Sequence, residues 1–252
     1  MSGIAGIIHF DGKPVEPGLI QKMTGAMAHR GPDGINHWVK GSVALGQCML
    51  RTTPESLEEV QPLTNEDESV VLVMDGRVDN WEELRKKLLA RGAKLRRRAD
   101  AELVLRAYET WGRDCLAHIE GDFSLALWDA HRAHAFVARD RVGNKPFVYH
   151  WDGATLVFAS DVASILMLPC LPRVIDQATL AEFLAAEWYS RTATFWHGVH
   201  RLPAAHRMIV AANGLLLHEY WQPDLDAAQH YRRDQEYVDH YLDLLTQLVR
   251  RC

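Results

Sequence analysis

Hydrophobic positions recur along this chain with two different periods. Residues 3–10 read GIAGIIHF, an apolar run of strand length that meets a turn at Asp11-Gly12. Leu19, Ile20, Met23 and Met27 follow at helical spacing, and Gly31-Pro32 stops that helix. SVALGQCML (42–50) and SVVLVMDG (69–76) are strand-like. NWEELRKKLLARG (80–92) is predicted helical: Asn80 is placed to cap it, Glu82 and Glu83 suit its positive N-terminal end, and Gly92 closes it. DAELVLRAYETWG (100–112) is a second such helix, with Asp100 near its start.

From Gly121 onward strands dominate. DFSLALWD, HAFVARD, PFVYHWDG and ATLVFAS read as successive hairpins, with a tight turn at Trp151-Asp152-Gly153. DQATLAEFLAAEWY (176–189) returns to helical spacing, and HRMIVAANGLLLHEYW (206–221) reads as a hairpin around Asn213-Gly214. QPDLDAAQHYRRD reads as a linker. It leads to an amphipathic helix that carries Tyr237, Tyr241, Leu244, Leu245 and Leu248 on one side and ends at Cys252. Because strands come in runs rather than alternating strictly with helices, the expected class is α+β, with antiparallel sheets covered by helices.

Composition narrows the function more than the fold. Of 252 residues, 48% are hydrophobic and 24% charged, which suits a globular chain with a sizeable core. A net charge of −5 gives no overall attraction to nucleic acid or an anionic membrane, and no apolar run reaches the roughly 20 residues of a membrane span. Cys48, Cys115, Cys170 and Cys252 form no C-x-x-C, so no disulfide framework or zinc site is expected, and a reducing cytoplasm is the simpler setting. His131 and His134 read as a hairpin tip rather than metal ligands, and the basic run KLRRR (94–98) as a solvated loop edge rather than a partner site.

Five segments occur in a fixed order: SGIAGI at the start, HRGPDG (29–34), DGRVDN (75–80), IEGDFSLALWD (119–129) and ARDRVGNKPFVY (138–149). Together they resemble the class II glutamine amidotransferase domain at the front of asparagine synthetase B-type enzymes, over roughly residues 2–220. The resemblance implies an N-terminal nucleophile hydrolase fold, an αββα sandwich of two stacked antiparallel sheets. Residues 221–252 would then form a linker and helix leading to an ATP-dependent synthetase domain.

The resemblance also implies a chemistry. Removal of the initiator methionine frees the amine of residue 2, whose side chain, a cysteine in the family, attacks the amide carbon of glutamine. An asparagine side chain and a glycine amide hold the oxyanion. Here the sequence departs. Ser2 stands at the nucleophile position, and a hydroxyl depends far more on a base than a thiol does. The family's Asn-Gly-Glu is Asp75-Gly76-Arg77, so an acceptor replaces the oxyanion donor and a cation replaces the carboxylate that would receive the substrate ammonium. Met49 occupies the place of the arginine that grips the substrate carboxylate, and Arg51, two residues on, would share its face if the strand continued. Asp100 matches the retained glutamine-binding aspartate, with a helix N-cap as the competing role. Arg30 and Asp33 can serve as turn and ion-pair residues.

These departures predict a domain without glutaminase activity. β-Lactam synthetases and lasso-peptide cyclases are relatives of that kind, in which an amine of the substrate replaces ammonia; the lasso cyclase is the favoured form, with the DGRVDN pocket and LRTTPES carrying the likeness. The family's phosphate loop, Ser-Gly-Gly-x-Asp-Ser, is absent from the 252 residues. ATP and Mg are therefore expected in a C-terminal synthetase domain outside this chain, and no cofactor within it. Two alternatives stand beside this reading: an active glutamine-hydrolysing domain with Ser2 as nucleophile, and a module that binds a precursor peptide or partner subunit.

Overall fold

The computed structural model describes residues 1–251; Cys252, the end of the predicted C-terminal helix, lies outside the described residues. The strands are β1 (Gly3–His9), β2 (Gly34–Lys40), β3 (Val43–Met49), β4 (Leu63–Thr64), β5 (Val70–Gly76), β6 (Phe123–Asp129), β7 (His134–Arg139), β8 (Val148–Trp151), β9 (Thr155–Ala159), β10 (His200–Arg201), β11 (His206–Ala211) and β12 (Gly214–Glu219). The helices are α1 (Pro17–Ala26), α2 (Trp81–Ala90), α3 (Asp100–Trp111), α4 (Val162–Ile165), α5 (Gln177–Leu184) and α6 (Asp234–Arg251). Two six-stranded antiparallel sheets result, ordered β10-β8-β9-β1-β3-β2 and β12-β11-β7-β6-β5-β4.

Alternation along single strands explains the layering. In β1, Ile4 and Ile8 pack between the sheets with Val71 and Val73 of β5, while Ala5 and Ile7 face α1 through Ile20 and Met23. In β5, Leu72 and Met74 point the other way, onto Leu84 and Leu88 of α2 and Leu103 and Ala107 of α3. Three apolar layers therefore separate four structural ones: helix, sheet, sheet, helix. β1 and β5 are buried on both faces, which is why GIAGIIH and VVLVM carry almost no polar residue.

Three local expectations change. Asn80 holds the N-cap position of α2 but makes no side-chain cap; its Oδ1 accepts from the Glu120 amide at 2.9 Å and its Nδ2 donates to the His118 carbonyl at 3.0 Å, strapping the loop before β6. The helix predicted over 176–189 ends at Leu184, where Ala186 turns into the left-handed region at φ 57°. Asp100 is the first residue of α3 rather than its cap, which is Ala99. Residues 222–233 contain no helix or strand, and on α6 Tyr237, Tyr241, Leu244, Leu245 and Leu248 are exposed. Among the described residues no helix is long and apolar enough to cross a membrane.

Candidate functional site

The central strands of the two sheets deliver their ends to one place. Ser2 immediately precedes β1, Met49 closes β3, and Asp75-Gly76 closes β5. A small chamber of about 50 Å³ lies between these ends, walled by Ser2, Gln47, Met49 and Gly76. It shares Thr53, Ser56, Glu59, Arg77 and Asp100 with a larger cavity of about 480 Å³, whose far wall carries Val78, Trp81, Arg85, Arg98 and Leu103. The larger volume is that of an ordinary small-molecule site.

At the inner end, Ser2 Oγ accepts the Leu50 amide at 3.0 Å and lies 3.4 Å from the Leu50 carbonyl oxygen. The Ser2 carbonyl accepts from Arg30 Nε at 3.0 Å. The hydroxyl is thus held by backbone, and no side-chain base bonds to it among the described residues. Gly76 leaves no room for a side chain: a Cβ there would stand 2.5 Å from the Asp122 carbonyl oxygen and 2.6 Å from Phe123 Cβ.

Asp75 is engaged in a buried ion pair. Its carboxylate is 2% exposed and does not line either cavity. It lies 3.4 Å from Lys145 Nζ and 3.5 Å from Arg30 Nη2, so its charge is compensated from two sides. Burial raises its pKa, and the two cations oppose that shift. A carboxylate engaged in this way accepts rather than donates, and the two cations offset its charge.

Arg51 is a correction. The strand ends at Met49, so the expected shared face never forms. Arg51 turns to the surface loop instead, donating through Nε to the Ser56 carbonyl at 3.3 Å and through Nη1 to the Asp33 carbonyl at 3.3 Å. Asp33 Oδ2 in turn accepts the Arg51 amide at 2.7 Å. Met49 is buried on the chamber wall. Arg77 does face both cavities, with its Nε held 2.6 Å from Asp79 Oδ1. The KLRRR run is also more structural than a solvated edge: Arg96 pairs with Glu66 and Glu102, and Arg98 lines the large cavity.

Asp100 sits at the junction of the two cavities, its Oδ2 accepting the Val78 amide at 3.0 Å. Burial pushes its carboxyl up to about 6, against the lowering effect of that hydrogen bond. Beside it stands a residue the sequence did not single out. Glu59 faces both cavities, accepts from the Gln61 side chain, and is pushed by burial to about 7, with the Asp100 charge adding to the shift and Arg51 opposing it. Gln47 and Lys145 were likewise missed: Gln47 is 1% exposed on the chamber wall, and its Oε1 has no hydrogen-bond partner among the described residues. No group of three or more His, Cys, Asp or Glu placed to hold a metal occurs among the described residues.

The fold is that of a class II glutamine amidotransferase domain of the N-terminal nucleophile hydrolase type, and the chain belongs to the glutamine amidotransferase domain family, whose description matches residues 1–221. Among curated proteins it is similar to asparagine synthetase [glutamine-hydrolyzing] 3 of Bacillus subtilis, 32% identical over 224 residues that cover 88% of this chain and 36% of that protein. It is also 33% identical over 245 residues to a putative asparagine synthetase [glutamine-hydrolyzing] 2 of Methanocaldococcus jannaschii, covering 89% of this chain and 47% of the relative. The chain thus spans between a third and a half of these relatives' length. Among solved structures, glutamine phosphoribosylpyrophosphate amidotransferase from B. subtilis superimposes with a TM-score of 0.60 at 17% identity, over 88% of this chain and 50% of that one, a likeness of fold.

Proposed function

We propose that this chain is a glutaminase-silent amidotransferase domain serving an ATP-dependent, amide-forming ligase of asparagine synthetase type. The observation that carries the reading is the state of Asp75: the position that should donate to an oxyanion is an acceptor spent on Lys145 and Arg30. Removing one such donor lowers turnover by about 10²–10³-fold in hydrolases. The Ser2 hydroxyl, held by Leu50 and without a side-chain base among the described residues, adds to that loss, and with Met1 attached its nitrogen is an amide that cannot take up a proton.

In a ligase whose substrate brings its own amine, no ammonia is needed. This is the logic of lasso-peptide cyclases and β-lactam synthetases, and the pattern of departures at 2, 49, 75 and 77 favours that branch. The ligase chemistry, with ATP and Mg, belongs to a synthetase domain, because the 252 residues contain no phosphate loop of the expected kind. The role proposed for this domain is to support that partner and to bind part of its substrate.

The test is ammonia release from L-glutamine by the purified chain and by Ser2→Ala. The expected result is no release above buffer from either; release that depends on Ser2 would restore the hydrolase reading.

A further inference from the structure

Of the four edge strands of the two sheets, three are guarded and one is open. β10 and β4 are two residues long, and β2 carries Asn36 and His37 and ends on Lys40, whose ammonium lies 3.4 Å from Glu68. Short length and an edge lysine are common means of keeping a sheet from pairing further. β12 has six residues, GLLLHE, with neither lysine nor proline. We infer that β12 receives an extended peptide segment as a further strand of its sheet, and that this segment alternates acidic and apolar residues. The inference is independent of whether Ser2 is active.

The register of the hairpin says which groups are free to pair. Ala211 stands opposite Gly214 across a two-residue turn, and at the other end the Tyr220 amide donates to the Ala205 carbonyl at 2.8 Å. Both ends fix the same alternation. Gly214, Leu216 and His218 turn their amides and carbonyls toward β11, whereas Leu215, Leu217 and Glu219 turn theirs to the open edge. Leu216 is 60% exposed and Leu217 36%, so the described residues leave the strand uncovered.

The side chains define the segment. On the helix side of the sheet, Leu216 and His218 stand opposite Ile209 and Arg207 of β11. With Arg113, from the turn after α3, these residues line a cavity of about 210 Å³. Arg207 donates to the Arg113 carbonyl at 2.6 Å and lies 3.3 Å from Asp114 Oδ1. The Arg113 side chain is exposed and makes no ion pair among the described residues. The lining thus holds two guanidinium groups and no carboxylate, which suits acidic side chains. On the other face Leu215 packs with Met208 and Val210 at the rim of the core between the sheets, and Leu217 stands on the same side. Apolar residues at the intervening positions of an added strand extend that layer. A second copy of the chain fits less well, because β12 paired with β12 would bring two basic cavities to one seam.

The test is fluorescence anisotropy of the chain with a labelled, end-capped Val-Glu-Val-Glu-Val-Thr peptide and with Val-Lys-Val-Lys-Val-Thr. The acidic peptide is expected to bind, and the basic one about tenfold or more weakly. Leu217→Pro removes an amide that faces the open edge and spares the ladder with β11, so it should weaken the acidic peptide about tenfold. Arg113→Glu should weaken it by about threefold or more. No binding of the acidic peptide, equal binding of the two peptides, or unchanged affinity in Leu217→Pro would each overturn the assignment. So would a dimer in sedimentation that Leu217→Pro dissolves, since the edge would then belong to a second copy. The comparison of the two peptides uses the unmodified chain, so it remains decisive if a variant folds poorly.

Discussion

The Lys145 ammonium lies 3.4 Å from Asp75 Oδ1, a buried ion pair at the residue next to Gly76 of the Ser2 chamber wall. Lys145 comes from the GNKP segment between β7 and β8, and Arg30 reaches the same carboxylate from the segment after α1. Three distant parts of the chain are therefore joined at one buried charge.

Removing that charge should show as instability. Asp75→Ala leaves two partly buried cations without a counter-ion, and breaking such a buried pair costs about 3 kcal/mol or more. Urea denaturation is expected to show a loss of that order. Asp75→Asn, which keeps the shape and one carbonyl acceptor, should lose less.

The same position offers a gain of function. Asp75→Asn restores an amide donor, but with Ser2 in place the hydroxyl limits the reaction. Ser2→Cys alone lacks the donor. With Met1 removed, the double variant is expected to release ammonia from saturating glutamine about 10²-fold faster than Ser2→Cys alone, by the worth of one oxyanion donor. Saturation matters because Met49 offers no carboxylate partner, which weakens binding rather than turnover. Equal rates in the two variants would place the defect elsewhere than position 75.

Gly76→Ala probes the opposite wall. The new methyl would meet the Asp122 carbonyl oxygen at 2.5 Å and Phe123 Cα at 2.7 Å, both rigid groups of the neighbouring strand. Overpacking of this kind destabilises by about 1–3 kcal/mol. Thermal unfolding should show the loss, whereas Gly25→Ala, where the Cβ meets nothing within 4 Å, should not.

The layers of the fold were legible because buried strands such as β1 and β5 and one-sided helices such as α2 write their environment into the spacing of apolar residues. Around the small chamber, Ser2, Gly76 and Arg77 stand in segments whose order resembles a family, and Asp100 stands at the start of a predicted helix, so the sequence drew attention to them. Glu59 drew none. It lies in TTPESLEEV, where three glutamates follow one another closely and nothing local distinguishes the one that turns inward. Gln47 hides within an apolar strand, and Lys145 pairs with a residue 70 positions away. Arg51 misled because the argument assumed a strand that stops two residues earlier, and Asn80 because a side chain able to cap was needed to hold Glu120.

The pH dependence of stability follows from Glu59 and carries a definite sign. Its carboxyl is held near 7 in the folded chain and has the ordinary value of 4.5 when unfolded. Below 4.5 both states bind the proton and the residue is neutral to stability. Between 4.5 and 7 the folded state keeps the proton that the unfolded state has lost, so stability falls as pH rises, and above 7 the full penalty is present. Gln61, Asp100 and Arg51 surround the group, with Arg77 and Arg98 on the shared cavity wall; Asp100 raises the penalty and Arg51 lowers it. Asp100, held near 6, contributes a slope of the same sign between 3.8 and 6. Glu59→Gln removes the larger slope and relieves Asp100 of a like charge. It should therefore match the parent chain at pH 4 and exceed it by on the order of 1–2 kcal/mol at pH 8, after allowance for solvent screening. Denaturation of both proteins across that range checks the sign.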